Sequence, residues 1–239
     1  MIEIKKGTEP EGLKKLSIEC KQNGLSARDS YNMLQNPLKK EVLECLRRDQ
    51  GQLCVYCMSR IPREDRDVGI CGETIEHFIP LDPEDGRDVG QALDYMNLFA
   101  VCHGNTKMRK KGERRIYSKK DLTCDKHREN KEFRKISPYS PEVINTIFYN
   151  MTGEIKSTDP DIEYDLTKTL NLNCASSPIV YERKAVLDEL INNLGKVKDD
   201  ELFSYCERLL KTYTNENNPK TPYVGVVIWY LKSLISALI

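Results

Sequence analysis

The turn LCVYC at residues 53–57 constrains this chain more than any other stretch. Two cysteines with two residues between them can present both thiolates to one ion, and tetrahedral zinc then demands a second pair from elsewhere. Cys54 and Cys57 supply the first pair; Cys71, Cys102 and Cys124 are the candidates for the second. A fold that closes this frame must bring residues far apart in sequence to one point. Nine cysteines, with no apolar leader in MIEIKKGTEPEGLKK, predict a reducing compartment, the cytoplasm. There cysteine either ligates metal or packs as a small hydrophobe. Cys20, Cys45, Cys174 and Cys206 sit in or near helical patterns and are expected in the core.

Helical patterns flank this frame. Residues 1–50 read as helical, with Leu38, Val42, Leu43 and Leu46 on one stripe and Gly51 as the stop. Residues 51–136 hold short β-like runs, all three histidines and five of the nine cysteines. From Ser137 the chain is punctuated by SPYSP and MTGE and then returns to helical periodicity. Val186, Leu187, Leu190 and Ile191 mark one helix there, and Leu202, Cys206, Leu209, Leu210 and Tyr213 the next. The closing stretch, YVGVVIWYLKSLISALI, is mostly apolar. Val224, Val227, Ile228, Leu231, Leu234, Ile235 and Leu238 nevertheless fall on one helical stripe, with Lys232, Ser233 and Ser236 off it. That pattern predicts a well-buried terminal helix and no membrane span.

Charge adds a local signal to a neutral whole, 37 basic residues against 37 acidic. Between Lys107 and Lys120 stand Lys107, Arg109, Lys110, Lys111, Arg114, Arg115, Lys119 and Lys120, opposed only by Glu113. So dense a run of cations makes a surface suited to phosphates, and so to nucleic acid. TIEHFIP, at residues 74–80, reads as a short strand on which Glu76 and His77 would point to opposite faces. A histidine is the natural base for taking a proton from water, and a carboxylate beside it can hold a divalent cation. A phosphodiester hydrolase needs both. Asp125, directly after Cys124 at a helix start, is the candidate second ligand, with His127 in reserve.

CVYC, IEHF, YMNLFAVC and CDKHR, in that order, resemble an HNH endonuclease of the zinc-bound ββα-metal type. The resemblance implies an α+β fold, with a ββα-metal core flanked by N- and C-terminal helices. It implies His77 as general base, Asn97 bracing the imidazole by hydrogen bonding, and Glu76 and Asp125 sharing catalytic Mg2+ or Mn2+. The structural Zn2+ set would be Cys54, Cys57, Cys102 and Cys124, and Arg128 stands where a basic residue often follows, as a further nucleic-acid contact. Two departures stand out: the long basic insertion splits the final cysteine pair, and Asp125 replaces the last histidine. Beyond the core, DQGQLCVYC, FYNMTGEI, KTLNLN and YERKAVLDEL look like the PtuB-type HNH protein of Septu anti-phage systems, including retron-attached ones. That likeness covers nearly the whole chain. It implies a PtuA-type ATPase partner and, in retron versions, a reverse transcriptase with its RNA–DNA product.

The expected function is therefore a metal-dependent endonuclease acting on nucleic acid, DNA first, as an effector of phage defence. Its nuclease core would be residues 51–136. The helical segments 1–50 and 137–239 are expected to serve partner docking and to hold no catalytic residue. The competing readings are a catalytically idle zinc-binding module and a toxin-like nuclease acting on RNA. Joint presence of Glu76, His77, Asn97 and Asp125 separates the nuclease from the idle module, which needs none of them.

Overall fold

Two antiparallel strands, β1 (Thr74–His77) and β2 (Leu98–Val101), pair with Glu76 opposite Phe99 and His77 opposite Leu98. The computed structural model describes residues 1–61, 74–88, 90–106 and 118–239. All four residues of β2, LFAV, are buried, as a continuous apolar run requires. Its outer edge is covered at Ala100 by a side chain. The fully buried amide of Gln50 donates to the Ala100 carbonyl (2.7 Å) and accepts from the Ala100 N–H (2.8 Å). Gln50 thus replaces a third strand and satisfies backbone groups that burial would otherwise leave unpaired.

Three helices precede the sheet: α1 (Glu11–Gln22), α2 (Ala27–Asn32) and α3 (Leu38–Asp49). Helix α2 starts at Ser26, whose side chain accepts from the Asp29 N–H at 3.1 Å. Helix α3 buries Val42 and Leu46 on the expected stripe. It stops at Gly51, where φ is +63° and the N–H returns to the Arg48 carbonyl. After the sheet comes α4 (Cys124–Arg128), which begins on the second half of the split cysteine pair.

The neck of the intervening segment is closed by hydrogen bonds. The Thr123 N–H donates to the Gly104 carbonyl (3.1 Å), and Asn105 Nδ2 donates to the Asp121 carbonyl (2.7 Å). Gly104 has φ of +58°, and a Cβ there would lie 2.5 Å from the Thr123 carbonyl oxygen. Only glycine fits so close an approach.

The remaining chain forms α5 (Pro141–Asn145), the hairpin β3 (Ile147–Tyr149) and β4 (Ile155–Ser157), α6 (Pro160–Tyr164), α7 (Ile179–Leu194), α8 (Asp199–Thr214) and α9 (Val224–Leu238). The fold is thus mixed, mostly helical with two small sheets. The β3–β4 hairpin lies in a stretch expected to be turn and helix. Helix α9 is buried at Val224, Val227 and Leu231, but Leu238 is 44% exposed, so the terminal stripe is buried only over its first half. Among the described residues no helix is long and apolar enough to cross a membrane. One hydrophobic core runs through all three expected segments, from Leu13 and Val42 through Leu98 and Cys124 to Leu166 and Val224. Cys20, Cys174 and Cys206 are buried as expected, and Cys45 is partly so.

Candidate metal centre and active site

Cys54, Cys57, Cys102 and Cys124 are all buried, and their four sulfurs lie within 4.8 Å of one another. Cys57 Sγ is 3.8 Å from Cys102 Sγ, and Cys124 Sγ is 3.7 Å from Cys102 Sγ and 4.0 Å from Cys54 Sγ. Zinc–sulfur bonds of 2.3 Å in a tetrahedron put the sulfurs about 3.8 Å apart. The cage therefore fits a metal ion such as zinc. Its electrostatics agree. Hydrogen bonds, led by that from Cys102, hold the Cys57 thiol well below its ordinary range, while burial pushes Cys54 up and the Cys102 sulfur pushes Cys124 up. Without a cation the packed sulfurs favour one thiolate and resist more; a bound ion removes that resistance. Two polar groups also face the sulfurs: Ser59 Oγ lies 3.0 Å from Cys57 Sγ, and the Gly104 N–H donates to Cys102 Sγ at 3.4 Å. Cys71, the substitute considered for this cage, lies outside the described residues.

Glu76, His77 and Asp125 line one cavity of about 290 Å3. Glu76 and His77, adjacent at the end of β1, both line this cavity. Asp125 reaches it from the first turn of α4. Burial, and then the bond to Asp125, push the Glu76 carboxyl well above its ordinary range. For Asp125 burial acts upward, but bonds to Glu76 and Lys126 outweigh it and hold the group low. The two carboxyls thus act on each other, with Glu76 the weaker acid and Asp125 the stronger.

His77 is buried, with Nε2 3.0 Å from the Ala92 carbonyl oxygen. A carbonyl only accepts, so Nε2 carries the proton and Nδ1 keeps its lone pair. Burial lowers the ring to about 4, which leaves it neutral at physiological pH. The edge of the Tyr31 ring packs on the imidazole at a centroid distance of 4.6 Å.

Other expected site residues are placed differently. Asn97 is buried, but among the described residues it does not bond the His77 ring. Its Oδ1 accepts from the Ile79 N–H (2.7 Å), and its Nδ2 donates to the carbonyls of Ile79 (3.1 Å) and Gln91 (3.2 Å). Asn97 therefore ties down the backbone after His77 and the stretch that brings Ala92 to the ring.

Arg128, expected at nucleic acid, is fully buried and cannot reach a phosphate backbone. It pairs with Glu76, donates to the carbonyls of His77 (3.1 Å), Phe78 (2.6 Å) and Lys131 (2.7 Å), and stacks on Phe133 at 4.1 Å. A guanidinium beside a basic run reads as surface charge, yet here a buried carboxylate needed a partner.

His127 Nδ1 lies 3.0 Å from the Thr169 carbonyl oxygen, and the residue does not line the cavity. Lys119 and Lys120 are exposed, and Lys119 pairs with Glu129 at 2.5 Å. Lys107, Arg109, Lys110, Lys111, Arg114 and Arg115 lie outside the described residues. The structure adds Arg28 and Tyr31 of α2, from a segment expected to hold only docking helices. It also adds Tyr56, whose hydroxyl donates to Glu76 at 3.0 Å from between the two cysteines of the turn.

Neither the protein-family models nor the curated proteins include a match to this chain. What can be read of its chemistry comes from the arrangement itself. A neutral imidazole with a free lone pair and two interacting carboxyls line one cavity, and Cys54, Cys57, Cys102 and Cys124 form a buried four-sulfur cage.

Proposed function

We propose that this chain is a metal-dependent HNH endonuclease that hydrolyses phosphodiester bonds, with DNA as its substrate. One observation carries the reading: His77 is held as a neutral ring with Nδ1 as the acceptor, in the cavity that Glu76 and Asp125 line. The order β1, β2, α4, with the thiolate cage joining the turn at Cys54 to the start of α4, supports a zinc-bound ββα-metal core. The zinc is structural in this reading.

Each residue then has a defined task. His77 takes a proton from the attacking water through Nδ1. Glu76 and Asp125, which line the same cavity, would hold Mg2+ or Mn2+. The cation would neutralise charge developing on the phosphate and leaving oxygens. Arg128 and Tyr56 fix Glu76 from behind, and Asn97 fixes the loop that sets the imidazole. The wider resemblance extends the proposal to a PtuB-type effector of phage defence that acts with a PtuA-type ATPase and, where a retron is attached, with its reverse transcriptase and RNA–DNA product.

One observation favours an idle zinc module instead: Glu76 already has Arg128 and Tyr56 as partners. Cleavage of plasmid DNA with Mg2+ or Mn2+, by wild type and His77→Ala, alone and with the ATPase, separates the two. The nuclease reading expects His77→Ala to keep its zinc and melting temperature and to cut roughly 10²–10⁴-fold more slowly. Equal cutting by folded His77→Ala sinks it, and no cutting of DNA by either protein favours the idle module. The same pair of proteins on RNA tests the toxin-like alternative.

A further inference from the structure

The geometry points to Arg28 as the residue that grips the substrate's phosphate backbone at this site. The inference rests on the nuclease reading and adds a residue from outside the β1–β2–α4 core. Three carboxyls line the cavity, those of Glu76, Asp125 and Glu129, so an anionic phosphodiester approaches against negative charge. The cations that line it are Arg28 and Lys126, and Lys126 Nζ already sits 3.1 Å from Asp125. Arg28 pairs with Asp82 through side chains 54% and 47% exposed. Such pairs are cheap to open, and a phosphate offers the guanidinium the same forked geometry with stronger acceptors.

The base of Arg28 is fixed while its tip stays free to exchange partners. Ser26 caps α2, the Ala27 N–H donates to Asp88 at 3.0 Å, and Tyr31 packs on His77. The helix that carries Arg28 is thereby set against the imidazole itself.

The alternative role is structural, with the Arg28–Asp82 pair merely holding α2 on the loop after β1. Two variants tell these apart, because Arg28→Ala and Asp82→Asn break the same pair. If Arg28 grips phosphate, Arg28→Ala lowers kcat/KM on duplex DNA roughly 10²-fold, and Arg28→Lys falls between it and wild type. Arg28→Ala also reduces the slope of log affinity against log salt by about 0.9. Asp82→Asn, which frees the guanidinium, binds and cuts at least as well as wild type. Equal losses in Arg28→Ala and Asp82→Asn, with an unchanged salt slope, overturn the proposal.

Binding to a duplex oligonucleotide is measured without divalent cations, so the slope decides the matter whether or not the protein cuts. A wild type that binds but does not cut counts against the nuclease reading, and the slope difference still judges Arg28. A wild type with no affinity for duplex or single strands overturns both.

Discussion

Arg128→Ala is the sharpest test of how the site is held together. The guanidinium is fully buried, pairs with Glu76 and serves three carbonyl oxygens. Removing one partner of a buried pair costs about 3–5 kcal/mol, because it strands the other charge. Glu76 can limit that cost by taking a proton, since its carboxyl already sits well above the ordinary range. The orphaned carbonyls of His77, Phe78 and Lys131 add to it, at about 1–3 kcal/mol for each that water cannot reach. A total of about 5 kcal/mol is therefore expected. At about 2–4 °C per kcal/mol for a chain of this size, that lowers Tm by about 10–20 °C. The assay is a circular-dichroism melt at pH 7, with zinc content measured alongside. Arg128→Lys should recover part of the loss. Glu76→Gln should cost less in the Arg128→Ala background than in wild type, the mark of a coupled pair. Folded Arg128→Ala should bind DNA with the wild-type salt slope. A Tm within about 2 °C of wild type, together with a reduced slope, would show a surface phosphate contact and refute this account.

Three further outcomes follow from the same geometry. Cys124→Ser should lose the bound zinc and unfold the centre, since a structural site supplies on the order of 10 kcal/mol of folding free energy; zinc analysis with a melt checks this. Cleavage should stay base-competent well below the ordinary histidine range. The His77 ring is lowered to about 4, and only the neutral ring accepts a proton, so activity falls as pH drops through about 4. A rate profile in Mn2+ whose acid limb lies near the ordinary histidine value, 6.5, would contradict the burial argument. Lys6 donates to the Leu98 carbonyl between the rings of Tyr95 and Phe99, and burial lowers it to about 7. Between that value and the ordinary 10.5 the unfolded chain binds more protons than the folded one, so stability rises with pH across this window. Lys6→Met should flatten the rise, on the order of a few kcal/mol, and melts at about pH 6.5 and about pH 9.5 measure it.

The four-cysteine cage was legible in the sequence because a metal frame restricts residue type, and cysteines on a turn, a strand end and a helix start can close it. Glu76, His77 and Asp125 stand out by residue type, and the structure brings all three to one cavity. Partners were not legible. Asn97 was picked out, but its bonds go to Ile79 and Gln91, because a backbone carbonyl at Ala92 already holds the ring. Arg128 looked like part of a cationic surface, since nothing in a linear run of charge marks which residue a buried carboxylate will recruit. Arg28 and Tyr31 reach the site by packing from a helix far upstream of β1, which no local period encodes. The strands of the β3–β4 hairpin are three residues each, too short for alternation to register.

The closed neck around Gly104 turns a sequence irregularity into an evolutionary freedom. Because Gly104 meets Thr123, and Asn105 meets Asp121, Cys102 and Cys124 are brought together whatever runs between residues 106 and 118. Loop-closure entropy grows only logarithmically, about 0.6 kcal/mol for each doubling of length, so added residues scarcely burden the cysteine cage. The neck is thus a socket. A segment of different length or charge could run through it with the four sulfurs still brought to one point.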